Sequence, residues 1–245
     1  MSRKLNKRIC RHYVIGVDLG AAMQPTAIAV IEQEVIDMIR RGREVRSMQL
    51  VHLERLPLDA GYPAVIEEVK RILEEVKDKE QDTRRGEPRT DVVVDITGTG
   101  RAVGKLMEKA GLKPIFVTMT SGNAASRPSY DDWRIGKASL IGNLLTLFQN
   151  PDTRFKVANA LPLAAKLEEE LQRFSLKPVT LNSNDPEAWR ENPDDDLVFA
   201  LALATWWAKE YLPKPPAMRE RENRRMEESN REMDAALSMR IRRRG

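Results

Sequence analysis

Cysteine and histidine are scarce in this chain of 245 residues, which contains one cysteine, Cys10, and two histidines. A single thiol cannot close a disulfide within the chain, and three Cys and His side chains cannot build a zinc site of the usual four ligands. A metal site in this protein must therefore be made of carboxylates, which favour hard divalent ions. The cysteine usage is typical of a protein from a reducing cytoplasm.

Long apolar runs are also lacking. No apolar stretch reaches the roughly 18 residues that a membrane-spanning helix needs. The basic N-terminus is followed by only a short apolar run, which contains Asp18, so a secretory signal is not expected. With 41% hydrophobic and 32% charged residues, the composition excludes a wholly disordered chain. The length suits one α/β domain, or two small ones at most.

Positive charge is concentrated at the two ends of the chain, whose formal net charge is +4. Residues 1–12 are predicted to form a basic N-terminal arm, and residues 213–245 a charged, basic and flexible tail. The composition of the tail leaves two interpretations open. It is either a solvated appendage without a partner or a segment that contacts nucleic acid.

Strands and helices alternate between residues 13 and 212, which predicts one α/β domain. Three strands are predicted first, over YVIGVDL, TAIAVIEQE and residues 45–55, and an amphipathic helix follows over residues 61–77. Residues 91–119 then read as a β-α-β unit whose helix ends at Gly111.

The second half of the chain is predicted to be mostly helical. A loop over residues 121–132 precedes helices at about 134–149 and 161–174, with a short strand near residues 154–158 between them. The last helix is apolar on every face from Leu197 to Trp207, which predicts that it is buried in the core. The complete order resembles that of a ribonuclease-H-like fold, a mixed five-stranded sheet flanked by helices.

Four aspartates stand at the ends of these elements. Asp18 ends the first apolar strand, Asp95 ends the strand VVVD, and Asp195 and Asp196 begin the apolar helix. Taken singly, such residues are often turn residues or helix caps. If the two strands are neighbours, however, the carboxylates converge and repel one another unless cations neutralise them. Mg²⁺ or Mn²⁺ ions about 3.5–4 Å apart would then support phosphodiester cleavage.

Several segments together resemble a known family. They are GVDLGAAMQPTAIAVIE, VVVDITGTGRAVGKLMEKAGL, the stretch from Ile115 through GKASLIGNLL, and EAWRENPDDDLVFALALA. Over roughly residues 13–212 they resemble, in the same order, the nuclease domain of phage terminase large subunits. The resemblance implies a ribonuclease-H-like fold in which clustered aspartates bind two Mg²⁺ or Mn²⁺ ions and cut concatemeric viral DNA during genome packaging.

The resemblance also implies site residues. The catalytic and metal-binding residues would be Asp18, Asp95, Asp195 and Asp196. Where the family often has a histidine, this chain has Asp194, so it stays open which two of the three consecutive acids bind metal. Lys137 matches a basic position of the family. Five basic residues are expected to contact DNA phosphates: Arg101, Lys105, Arg127, Arg134 and Lys137.

The partners implied are double-stranded DNA and the other parts of a packaging machine. A phosphate-binding loop of an ATPase is absent, because GTGRAVGK has Thr99 where glycine is required and Leu106 where a hydroxyl is required. We therefore expect an isolated domain, a separately encoded subunit or a relative with another task. A separate packaging ATPase, a small terminase subunit or a portal would be its partners, in a bacterial host cytoplasm and without a membrane.

Two alternatives remain beside a terminase-like nuclease. A Holliday-junction-resolvase-like nuclease has the same fold and metal chemistry, and a non-catalytic DNA-binding or assembly module could keep the fold alone. Nucleotide-binding interpretations of the DLG and GTG segments are disfavoured, because the chain lacks a second phosphate loop and an acid after PIFVTMTSG.

Overall fold

In a computed structural model, the chain is described over residues 7–20, 24–38, 43–80, 89–98, 101–121, 125–128, 132–149, 154–158, 160–176 and 195–210. All of these belong to one unit of the fold, Met1–Tyr211. The predicted tail 213–245, Asp194 and residues 1–6 of the predicted arm lie outside the described residues. The rest of that arm is strand, because β1 begins at Lys7.

The described residues form seven strands and five helices. The strands are β1 (Lys7–Asp18), β2 (Ala27–Met38), β3 (Arg43–Arg55), β4 (Arg89–Asp95), β5 (Ile115–Thr120), β6 (Asp132–Gly136) and β7 (Arg154–Val157). The helices are α1 (Tyr62–Glu80), α2 (Arg101–Lys109), α3 (Lys137–Gln149), α4 (Ala164–Leu176) and α5 (Asp196–Glu210). After α2, Gly111 takes the positive φ of a helix-ending glycine, 87°, as predicted.

All strands belong to one sheet, in the order β6-β5-β4-β1-β2-β3-β7. Strand β2 is antiparallel to β1 and β3, and the other neighbouring pairs are parallel. The central order β3-β2-β1-β4-β5 confirms the predicted ribonuclease-H-like class. Two edge strands, β6 and β7, extend the five-stranded sheet that the sequence predicted.

The two edge strands were predicted with different success. Strand β7 lies where a short strand was expected, but β6 occupies residues assigned to a loop and to the start of a helix. That assignment was wrong, since α3 begins only at Lys137. The reason is tertiary: β6 has five residues, and its extended backbone depends on pairing with β5, which a local pattern does not show.

Helices cover both faces of the sheet. Helices α1 and α2 pack on one face, around side chains such as Ile15 and Val94. Helix α5 packs on the other face and is flanked by α3 and α4. None of the described helices is both long and apolar enough to cross a membrane.

Helix α5 lies directly on the backbone of β1. As predicted, it is buried on all sides, from Asp196 to Ala208. The close approach depends on Gly16, because a Cβ atom at that position would lie 2.1 Å from the carbonyl oxygen of Ala200. Because Gly16 has no side chain, α5 can pack directly against β1. The first residues of α5 then lie beside the carboxyl ends of the strands.

Candidate active site at the carboxyl ends of the strands

The site begins with a row of residues that runs across four neighbouring strands. Asp95 of β4 lies opposite Asp18 of β1, Asp18 lies opposite Ala27 of β2, and Ala27 lies opposite Arg55 of β3. Residues that are opposite in a ladder point to the same face of the sheet. Asp95, Asp18 and Arg55 therefore all face α5, and the small Ala27 leaves room between them.

Asp18 and Asp95 are close enough for their carboxyl groups to share a hydrogen bond. Burial, together with the negative charges of Asp95 and Asp196, raises the pKa of Asp18 well above its usual value. Burial also raises the pKa of Asp95, although hydrogen bonds from Thr97 oppose that rise. In the absence of a cation, burial thus favours a proton shared between the two carboxyl groups.

Thr97 fixes the orientation of Asp95. Its backbone N–H and its hydroxyl both donate to Oδ1 of Asp95, at 2.8 and 2.5 Å. The same hydroxyl oxygen accepts a hydrogen bond of 2.7 Å from the backbone N–H of Met119 in β5. Our sequence analysis missed this role, although a hydroxyl residue two positions after an aspartate is a recognisable turn signal.

Asp195 and Asp196 are buried at the start of α5, with exposed fractions of 4% and 6%. The carbonyl oxygen of Asp195 accepts the first helical hydrogen bond, from the N–H of Phe199 at 3.1 Å. The charge of Asp195 acts on Lys137, whereas that of Asp196 acts on Asp18.

Arg55 holds Asp196 with two hydrogen bonds. Its Nε donates to Oδ2 at 2.8 Å and its Nη2 to Oδ1 at 2.6 Å. Nη2 also donates to Oε1 of Glu170 in α4, at 2.6 Å. Burial and the charge of Asp196 raise the pKa of Glu170 to about 7, although Arg55 opposes that rise.

Sequence reasoning missed both Arg55 and Glu170. Arg55 ends a strand with charged flanks, where a solvated side chain is the ordinary expectation. Glu170 did give a signal, because it follows the buried Leu167 by three residues and therefore shares its face of α4. Such an acid on an apolar helix face is a residue whose partner should be sought.

Lys137 is the predicted basic residue that joins the acids. Its Nζ lies 5.3 Å from the centre of the Phe199 ring. Burial lowers the pKa of Lys137, while the charges of Asp95, Asp18 and Asp195 raise it. The ammonium group therefore belongs to the carboxylate cluster rather than to a solvated surface.

The other predicted basic residues occupy different places in the fold. Arg127 is exposed, with its guanidinium 5.0 Å from the centre of the Trp133 ring. Arg134 is exposed and follows Trp133 in β6, so it points to the opposite face of the sheet. Lys105 is exposed on α2, which covers that opposite face, and Arg101 begins the same helix with a side chain outside the described residues.

Among the residues that the structure describes, the site contains more acids than bases. Two cationic side chains, Arg55 and Lys137, act on a cluster of five carboxyl groups: Asp18, Asp95, Asp195, Asp196 and Glu170. Protons or external cations must compensate the excess. Oxygen donors with an excess of negative charge suit Mg²⁺ or Mn²⁺ in kind and in charge.

The arrangement without metal is not a finished metal site. Across the parts of the chain that the structure describes, no group of three or more His, Cys, Asp or Glu side chains is positioned to hold an ion. Without a cation, Arg55 occupies one acceptor position on each oxygen of Asp196, and Asp18 and Asp95 are joined by a hydrogen bond between their carboxyl groups.

The fold and the site define a ribonuclease-H-like α/β domain with a carboxylate cluster at the carboxyl ends of its strands. No protein-family model matches the sequence, and no curated protein does. Among solved structures, the chain is similar to the human cytomegalovirus terminase nuclease domain, at 14% identity and a TM-score of 0.49, over 83% of this chain and 86% of that one.

Two further structures of the same domain match. The manganese-soaked form is 13% identical, with a TM-score of 0.44, and the manganese-soaked form with bound inhibitor is 11% identical, with a TM-score of 0.42. Each match covers 80% of this chain and 84% of that one. These structures are of the kind of protein that the sequence resembles.

Proposed function

We propose that this protein is a metal-dependent endodeoxyribonuclease that hydrolyses phosphodiester bonds with two divalent ions, as in the cutting of concatemeric viral DNA during genome packaging. One observation carries the proposal. Asp18 and Asp95 lie opposite each other at the ends of neighbouring parallel strands, beside Asp196 and within an excess of buried negative charge. Such a cluster favours cations strongly over an empty state.

The residues that would hold the ions are Asp18, Asp95, Asp195 and Asp196. When bound, two such ions stabilise the attacking and the leaving oxygen of an in-line displacement at phosphorus. Asp18 and Asp95 would both bind in their ionised forms, and Thr97 would keep Asp95 in a fixed orientation through its two hydrogen bonds.

Lys137 would act on the substrate. Its ammonium group is already placed beside the acids, so a phosphate that approaches the cluster would come within its reach. We also propose outer contacts to the DNA backbone for the predicted set Arg101, Lys105, Arg127 and Arg134, which would add affinity without sequence preference. DNA would then be the partner of the domain, and a packaging ATPase, a small terminase subunit or a portal would deliver it.

The test compares three Asp→Asn variants in a cleavage assay with Mg²⁺, Mn²⁺ or EDTA. Asp18→Asn and Asp95→Asn should each lower the rate by at least about a hundredfold, because each removes a charged ligand. Asp91→Asn is the matched control. Asp91 is buried on the same strand and the same face as Asp95, but it accepts a hydrogen bond of 2.7 Å from Nε1 of Trp207 instead.

The outcomes separate the candidate functions. Wild-type rates in Asp18→Asn or Asp95→Asn would refute the assignment, and so would an equal loss in Asp91→Asn. Linear duplex and four-way junction substrates are assayed side by side. Cleavage of the junction alone would favour the resolvase-like alternative, and no metal-dependent cleavage of either substrate would favour the non-catalytic module.

A further inference from the structure

We propose that Arg55 and Glu170 form a positioning pair for Asp196, in which Arg55 fixes the carboxylate and Glu170 balances the charge of Arg55. The inference rests on the proposed function, since it concerns how Asp196 is oriented to bind a cation. The resemblance that the sequence shows assigns no role to either residue. Both act through Asp196 and are positioning residues.

The geometry of the pair gives Asp196 one orientation. A planar guanidinium that donates to both oxygens fixes the plane of the carboxylate as well as its position. A carboxylate has about four acceptor positions on its two oxygens, so two bonds from Arg55 leave positions for a cation. Arg55 lies in β3, Glu170 in α4 and Asp196 in α5. Asp196 and Glu170 follow Arg55 by 141 and 115 residues in sequence, so these contacts hold three distant elements together at the site.

Charge explains why Glu170 is there. Arg55 and Asp196 alone would form a neutral pair, which attracts a divalent ion weakly. In its ionised form, Glu170 returns one negative charge to the trio through its 2.6 Å contact with Arg55, so Asp196 keeps its attraction for a cation while its orientation is fixed.

The burial of Glu170 supports the same conclusion. The residue is fully buried, with an exposed fraction of 0%, on the helix face of Leu167. Burying an additional acid beside an existing ion pair is costly, and an apolar side chain there would stabilise the fold at least as well. A role in the charge of the site accounts for that cost.

The main test is Glu170→Gln, followed by titration of the purified chain with Mn²⁺ alone in a calorimeter at pH 8, where Glu170 of the wild type is ionised. Glutamine has the same size and its amide oxygen can still accept from Arg55, so this variant removes the charge and keeps the shape. We expect the dissociation constant for Mn²⁺ to rise by at least about tenfold, because a nearby negative charge is lost from a poorly solvated site. Thermal melting of the metal-free protein records stability separately.

Two further variants complete the design. Arg55→Lys keeps the positive charge but loses the planar donor pair, and we expect it to weaken Mn²⁺ binding too. The matched control is Glu75→Gln. Glu75 pairs with Arg71 on the exposed side of α1, on the other face of the sheet, so this variant should bind Mn²⁺ as the wild type does.

The inference and the proposed function can fail separately. If Glu170→Gln binds Mn²⁺ with an unchanged or lower dissociation constant, the inference is overturned, whatever its melting temperature. A changed melting temperature would then show that the role of Glu170 is only structural. Wild-type binding of Mn²⁺ would leave the proposed function intact in that case. If the wild type itself binds no Mn²⁺, both fail. If Glu170→Gln does not fold, unchanged binding by Arg55→Lys overturns the inference and weakened binding supports it.

Discussion

The two faces of the sheet are built from alternate residues of the same strands, yet they serve different purposes. On the α1 and α2 face, Tyr13, Ile15 and Val17 of β1 belong to an apolar core. On the α5 face, Gly16 and Asp18 of the same strand contribute a close helix contact and a carboxylate. The period of two along a strand thus separates the residues that stabilise the fold from those that carry the chemistry.

The buried polar groups described on the α5 face are costly to the fold unless they are satisfied. Asp91 accepts from Trp207, and Gln33 of β2 donates to the carbonyl oxygen of Ala208 at 3.0 Å. The carboxylate cluster is different, because its described acids outnumber its described bases, and protons or added cations would compensate that excess. The face that carries the chemistry is therefore the one whose stability depends on solution conditions.

The largest expected effect on stability concerns the contact that seats α5. Gly16→Ala should lower the free energy of unfolding by about 4 kcal/mol or more, because the new Cβ would meet backbone atoms that no rotamer change can move. Gly142→Ala is the control, since a Cβ there meets nothing within 4 Å. In the helix α3 it should stabilise by about 0.5–1 kcal/mol. Equal urea midpoints for the two variants would show that α5 is not held against β1 as described.

The second largest expected effect is a pH dependence of stability that comes from the α5 face and not from the apolar core on the other face. Glu170 holds its proton up to a pKa of about 7 in the folded protein, whereas its ordinary value is 4.5. Between those values the folded state binds a proton that the unfolded state has released, so stability without metal should fall as the pH rises, by on the order of 3 kcal/mol from this group. Asp18 and Asp95, whose pKa values are also raised, act in the same direction.

Urea unfolding in EDTA at pH 5 and pH 8 measures this slope. Glu170→Gln should make it shallower, and Mn²⁺ should restore stability at the higher pH, because cations replace the lost protons. Core variants on the other face, such as Val69→Ala, should lower stability by the same amount at both pH values. Stability that rises between pH 5 and pH 8 in EDTA would contradict the charge excess of the site.

The smallest expected effect concerns DNA affinity. Lys137→Ala should weaken duplex binding by less than about tenfold and reduce the salt dependence by about one phosphate contact. Arg134→Ala should change the salt dependence less, because Arg134 points to the face opposite the acids. Fluorescence anisotropy of a labelled duplex at several salt concentrations would measure the affinity and the salt dependence of each variant. A larger loss in Arg134→Ala would indicate that DNA wraps around the edge strand β6.

Much of the fold was predictable because its signals are local. Short apolar runs predicted β1, β4 and β5, and an apolar stretch on all faces predicted the buried α5. The positions of Asp18 and Asp95 at strand ends followed from the same patterns. Strand β6 was missed because five residues with a mixed pattern take the strand conformation only beside β5.

The sequence by itself determined which carboxylates end the central strands and which helix is buried, since periodicity and chain order are local properties. Tertiary structure alone decided that Arg55 takes both oxygens of Asp196, that Glu170 is the buried partner of Arg55, and that Lys137 lies with the acids. Those contacts join residues more than a hundred positions apart. They depend on the close packing of α5 against the sheet, which the missing side chain of Gly16 allows. A local sequence pattern does not predict that packing.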